Sequence, residues 1–259
     1  MATINISLDE RPEGVVATVV LDRPEKLNAM SSPMVEQLRV AAADLRSREN
    51  LRCVIITGVN DKAFCAGSDL KELSELTSGS AGGFLRKTHD TLQAIRDIPV
   101  PVIARIQGPC MGVGMEIAAA CDFRLAATGS LYAMPKVKIG LPSVIEAALV
   151  ARIVGSGRAS WLMMTGDNIS AQKAYEWGFL EDVADDTAGL DDAVQSAVKG
   201  ILESGRQAIF AQKRLIRSWA EQPLAKSIED SIRPFASAHA TNEPGELSSK
   251  VLGRLGNPG

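Results

Sequence analysis

A chain of 259 residues with 46% apolar side chains can bury a substantial core, so general disorder is excluded and one large domain, or a domain with an appendage, is expected. A formal charge of −3 argues against a broadly basic nucleic-acid surface, and no apolar run reaches membrane-spanning length. The four cysteines, Cys53, Cys65, Cys110 and Cys121, form no CxxC pair, and His89 and His239 are the whole histidine supply. Structural zinc, a disulfide framework and a multi-histidine metal site are therefore disfavoured. The opening MATINISLDERPEG lacks a basic segment followed by an apolar stretch, so no secretory signal is expected, and a reduced, cytoplasmic setting fits. Chemistry in such a chain falls to carboxylates and backbone.

Residues 15–21 (VVATVVL) read as a buried strand, 53–58 (CVIITG) as another, and 102–107 and 123–127 as two more. Between the first two lies a helical pattern over 33–47, with Ser32 as N-cap and Pro33 at the first helical position. Strands alternating with helices to about residue 130 imply crossover connections and an α/β architecture. After Pro142 the pattern turns helical: 143–154, 158–165, 171–177 capped by Ser170, 190–204, 206–219, and 224–239 with a bend at Pro234. Trp161, Trp177 and Trp219 occupy helical positions and read as packing residues. The last fifteen residues, rich in Gly, Pro and Ser, read as loosely held. A boundary is expected near residue 200, giving an α/β core over 1–200 and a helical region over 201–259.

The most informative stretch is 106–122, IQGPCMGVGMEIAAACD. Its Gly/Pro-broken turn (Gly108, Pro109, Gly112, Gly114) lets backbone approach a ligand closely and then opens an Ala-rich helix whose first N–H groups favour developing negative charge. Glu116 at the start of that segment is costly to desolvate without a task or a partner. Together these features suggest a backbone oxyanion site beside a carboxylate acid/base. Gly112-Val113-Gly114 gives a GxG, yet the third glycine and the later acidic residue of a dinucleotide site are missing.

Four segments in order, LDRPEKLNAMS (21–31), AFCAGSDLKEL (63–73), IQGPCMGVGMEIAAACDFRLAA (106–127) and LMMTGDNISAQKAYEWGFLEDV (162–183), resemble the enoyl-CoA hydratase/isomerase family, the crotonases, over nearly the whole chain. The resemblance implies a crotonase-like core of stacked ββα units with a C-terminal helical trimerisation region. It implies an acyl-CoA thioester as substrate, coenzyme A being part of that substrate rather than a resident cofactor, and a homotrimer or hexamer. The family hosts hydration, isomerisation and other enolate reactions, so fold is specified more tightly than reaction.

Carried onto this sequence, the two oxyanion donors are the backbone N–H groups of Ser68 and Val113, where many relatives have Ala and Gly. Two fixed donors in a dry site stabilise a thioester enolate by roughly 3 kcal/mol each. Lys26, Leu27 and Ala29, with Ala66, Gly67, Asp69 and Leu70, resemble the segments that contact CoA's adenine and pantetheine; with Ser68, Gly112 and Val113 they form the expected substrate-binding set. Glu116 matches one of the two glutamates that handle protons in hydratases. The second is expected after a proline about twenty residues on, where this chain has Met134-Pro135-Lys136. Lys136 is expected to point outward or to pair with Glu116, with donation to substrate as the third alternative. Glu146, after IGLPSVI, is a candidate catalytic substitute, with a capping or salt-bridged role as its competitor. Asp122 reads as structural. His89, after a flexible 78–83 stretch that can act as a flap, is assigned no catalytic role.

Overall fold

The computed structural model describes residues 3–256. Its elements are β1 (Thr3–Arg11), β2 (Gly14–Asp22), α1 (Ser32–Arg46), β3 (Leu51–Gly58), α2 (Leu70–Ser74), α3 (Ala81–Arg96), β4 (Val102–Ile106), β5 (Cys110–Met111), α4 (Val113–Ala120), β6 (Phe123–Ala127) and β7 (Leu131–Ala133). There follow α5 (Ala147–Val154), α6 (Ser156–Thr165), β8 (Ile169–Ser170), α7 (Ala171–Glu176), β9 (Asp182–Ala184), α8 (Thr187–Glu203), α9 (Arg206–Trp219), α10 (Leu224–Ala238) and α11 (Glu243–Gly256). The chain divides into two compact units, one running to Val198 and one from Lys199 on.

In the first unit a six-stranded sheet has the order β1-β2-β3-β4-β6-β9. β1 runs antiparallel to β2, and the remaining neighbours are parallel. Every residue of β3 is buried, which explains its apolar run over 53–56: both faces of a central parallel strand are covered. β1 carries mostly exposed side chains and no such run, so its sequence offered no strand signal. A second sheet, β5-β7-β8, is built from strands of two or three residues. It holds the turn ahead of α4 in place: the Gly112 N–H donates to the Ala133 carbonyl at 2.9 Å.

Three expectations are corrected. Helix α1 starts one residue early, with Ser32 its first residue and Ser31 the cap. Ser32 N–H and Oγ both donate to Glu72 of α2, at 2.9 and 2.6 Å, so a distant carboxylate does the work assigned to a local cap. Residues 143–146 are not helical; Ile145 has φ +53°, in the left-handed region, and α5 begins only at Ala147. In the second unit 257–259 lie outside the described residues, and residues 245–256 of the expected loose end belong to helix α11. Its Glu243 carboxylate accepts the Gln207 and Ala208 N–H groups at 3.0 and 3.1 Å, capping the positive end of α9. α10 runs continuously with Pro234 inside it. Trp161 and Trp177 pack edge to face at 5.7 Å with Lys173 over both rings, though Trp161 stays 38% exposed and Trp219 43%.

Candidate active site

Two bends meet behind the site. The segment after β3 is fastened to the segment before α4 by a parallel bridge between Cys65 and Cys110, by Met111 N–H to the Cys65 carbonyl (2.8 Å), and by Phe64 and Cys65 N–H to Pro109 O (3.1 Å each). The approach is so close that a Cβ on Gly114 would lie 2.5 Å from the Cys65 carbonyl oxygen. Gly67 (φ +111°) and Gly112 (φ +51°) adopt backbone that side chains rarely permit, and a Cβ on Gly112 would lie 3.8 Å from Gly67 Cα. The expected donors follow these two touching glycines. Ser68 bridges to Met30 through its neighbours: Met30 N–H donates to Gly67 O at 2.8 Å, and Asp69 N–H to Met30 O at 2.9 Å. Its own N–H therefore faces away from Met30, with no acceptor among the described residues. Val113 opens α4, whose first intrahelical bond is Glu116 N–H to Gly112 O at 3.1 Å, so the Val113 N–H lies ahead of the helical ladder.

Glu116 is fully buried on α4. One carboxylate oxygen, Oε1, accepts from Lys136 Nζ at 3.2 Å; the other, Oε2, has no partner. Lys136 stands on the 3₁₀ turn Pro135–Ile139 and is itself 11% exposed, so of the alternatives for this residue the ion pair is the one present. Burial pushes the Glu116 carboxyl above its ordinary range, the Lys136 charge pulls it back, and the charge of Glu146 pushes it up again. Two of these three influences come from residues that the linear sequence keeps 20 and 30 positions away.

Glu146 occupies the N-cap position of α5 but makes no capping bond. Its side chain, 4% exposed, instead meets His89 of α3, Oε1 to Nδ1 at 2.7 Å, while Oε2 is unpartnered. The preceding Ile145 is a β-branched residue in left-handed backbone, a conformation that costs on the order of 1–3 kcal/mol and clusters at functional positions. Ser143 Oγ, on the same irregular segment, is likewise buried without a partner. An open cleft of about 430 Å³, lined by Gly82, Leu85, Arg86, His89, Ile145 and Glu146, connects this pair to the surface. His89 is thus the functional candidate that sequence reading passed over. Fifty-seven residues separate it from Glu146 and no local pattern ties them together.

The expected substrate-binding segments are brought together as well. Ala66 N–H donates to Leu27 O at 3.0 Å, and Arg23 reaches both the Ala29 carbonyl (3.1 Å) and Asp69 (2.7 Å). Asp69 caps α2, accepting from Lys71 and Glu72 N–H. Burial alone would raise its carboxyl, but Arg23 and these two amides hold it below the usual range. Leu27 and Leu70, 43% and 67% exposed, leave apolar surface beside this clamp, and Lys26 is exposed at the end of its own 3₁₀ turn. Asp122 is structural: Oδ2 accepts Val102 N–H at 2.8 Å. Among the described residues no three His, Cys, Asp or Glu side chains are grouped so as to hold a metal ion. No described helix is long and apolar enough to cross a membrane.

Comparison with known proteins gives the chain its family. A family model described as enoyl-CoA hydratase/isomerase matches residues 11–246. The enoyl-CoA isomerase/hydratase fer4 of Mycosarcoma maydis is 34% identical over 220 residues, covering 82% of this chain and 80% of its own. The short-chain-enoyl-CoA hydratase of Clostridium acetobutylicum is 27% identical over 240 residues, covering 92% and 91%. An enoyl-CoA hydratase structure from Mycobacterium smegmatis superposes with a TM-score of 0.90 at 29% identity, over 96% of each chain. The chain has the crotonase fold and belongs to the enoyl-CoA hydratase/isomerase family.

Proposed function

We propose that the protein is an acyl-CoA-processing enzyme that forms a thioester enolate. In this reading the N–H groups of Ser68 and Val113 receive the thioester oxygen, and Glu116 Oε2 removes or returns a proton at the adjacent carbon. Lys26, Leu27, Ala29, Ala66, Gly67, Asp69, Leu70 and Gly112 contact the substrate, whose coenzyme A portion is carrier and not a resident cofactor. The carrying observation is one juxtaposition: two acceptor-free amides follow glycines in contact, and a fully buried carboxylate with a free oxygen lies one helical turn beyond the second amide. Burial favours the neutral form of that carboxylate, and the Lys136 ammonium offsets part of that preference, so a proton can be held or released there. Self-association through the helical region and a cytoplasmic site of action belong to the same reading.

The reaction within the family is assigned to enolate chemistry with proton transfer, because Lys136 holds the place of the second hydratase glutamate. That substitution also favours a second reading, a CoA-thioester-binding protein with little or no hydratase activity. The test is exchange of the Cα hydrogen of butyryl-CoA in D2O, with crotonyl-CoA hydration followed by loss of enoyl absorbance. Exchange that falls by about 10²–10⁴ in Glu116→Gln supports the proposal. Tight binding without exchange in the unsubstituted protein points to the second reading, and exchange that persists in Glu116→Gln removes Glu116 from the mechanism.

A further inference from the structure

Among the described residues two buried carboxylates, not one, present an unpartnered oxygen: Glu116 Oε2 and Glu146 Oε2. One stands on α4 and the other at the N-cap of α5, two helices that pack on each other, and the charge of Glu146 is felt at Glu116. A third orphan, Ser143 Oγ, belongs to the segment that carries Glu146. Buried polar atoms are nearly always satisfied, so a cluster of unsatisfied ones marks where water or a ligand is received. The environments of the two carboxylates differ. Glu116 is held by a cation and sealed from solvent, whereas Glu146 is held by an imidazole that opens onto the cleft of about 430 Å³. A pair of acids in unlike environments is the arrangement that separates a base from an acid.

We propose that Glu146, fixed by His89, is the second proton-carrying group of this site and acts on the γ-carbon of an unsaturated acyl-CoA while Glu116 acts on the α-carbon. The inference rests on the enolate reading above. For a 3-enoyl thioester, Glu116 Oε2 takes a proton from Cα and the C–H electron pair moves toward the carbonyl, giving a dienolate whose oxygen is held by the two amides. The carbonyl then re-forms, a C2–C3 double bond is made, the C3–C4 π pair takes the proton of Glu146 Oε2–H, and no oxidant or reductant is needed. Glu116 is left protonated and Glu146 ionised, so one proton must pass from the first to the second before the next cycle. His89 is a positioning residue: with Glu146 ionised, Nδ1–H donates to Oε1 and leaves Oε2 unpartnered and available to the reacting chain, while the ring gives Glu146 contact with solvent protons. The left-handed Ile145 holds the carboxylate from the other side by fixing the backbone on which it turns.

The experiment compares two rates in each protein: Cα–H exchange of butyryl-CoA in D2O, which needs only Glu116, and conversion of 3-hexenoyl-CoA to the conjugated 2-enoyl thioester, which needs both acids. Glu116→Gln should lose both. Glu146→Gln should lower isomerisation about a hundredfold further than exchange. His89→Ala should lower kcat for isomerisation by about tenfold or more with KM little changed, and His89→Asn, whose amide donates from nearly the Nδ1 position, should recover most of it. Melting temperatures of all variants exclude simple unfolding, and the His89 pair carries the test if Glu146→Gln does not fold. An unsubstituted protein that exchanges Cα but does not isomerise, an unchanged ratio of the two rates in Glu146→Gln, or equal rates in His89→Ala and His89→Asn overturns the inference. Absence of Cα exchange in the unsubstituted protein sinks the enolate reading itself, a distinguishable outcome.

Discussion

At the scale of single residues, Glu116 combines two demands that oppose each other. A carboxylate inside an apolar helix favours its neutral form, and the net effect of burial, Lys136 and Glu146 is a folded-state value above the ordinary 4.5. The folded protein therefore holds this proton more firmly than the unfolded chain, so stability declines as pH rises from the unfolded value through the folded one, and the cost is fully present above it. Glu116→Gln mimics the protonated acid and still offers Lys136 an acceptor. It is expected to melt higher than the unsubstituted protein at pH 8, by roughly 2–4 °C for each kcal/mol recovered, with the gain vanishing near pH 4. Calorimetric scans across that range check the sign; a variant that melts lower at pH 8 means the carboxylate contributes net stability through Lys136. The same residue shows where sequence reading stops. A lone Glu among alanines announced itself, but the identity of its partners depends on side chains that only the packing of α4, α5 and the 135–139 turn brings near.

At the scale of elements, the apolar runs of β2, β3, β4 and β6 were legible because buried parallel strands write themselves as continuous hydrophobic sequence. β1 and the two-residue strands were not, since an exposed strand has no such signature and two residues carry no period. The helix start at Ala147 was misplaced for another reason. Ser143 to Glu146 has ordinary helical composition, and only the left-handed Ile145 breaks it, a strain imposed by tertiary structure. The glycines of the two bends were legible in kind but not in purpose. Gly114 is tied to the opposite bend by space alone: an added Cβ meets the Cys65 carbonyl at 2.5 Å. Gly114→Ala should push the bends apart, lower stability by roughly 1–3 kcal/mol and reduce Cα exchange more steeply than substrate binding. Gly157→Ala on α6, where a Cβ meets nothing within 4 Å, is the matched control and should leave exchange unaltered. Equal behaviour of the two variants dismisses the close approach of the bends as a requirement.

At the scale of the whole molecule, α10 exposes Leu224 (76%), Ile228 (60%), Ile232 (60%) and Phe235 (74%), spaced to lie along one helical face. Contiguous exposed apolar surface of this kind commonly marks protein contacts, and it is the surface to which the proposed self-association is assigned. Sedimentation of the full chain is expected to give a mass near three or six times 27.5 kDa, and Ile228→Asp with Ile232→Asp to reduce it; a monomer before substitution rejects that assignment. All four thiols lie inside the first unit, and Cys65 and Cys110 stand back to back behind the two bends, with burial holding the Cys65 thiol up at about 12. A thiolate-seeking reagent therefore has nothing to attack while the fold is closed. Alkylation, mapped to individual cysteines by mass, becomes a stopwatch: marks at positions 65 and 110 count the moments when the two bends come apart, and, on the proposed reading, an acyl-CoA ligand should slow that clock.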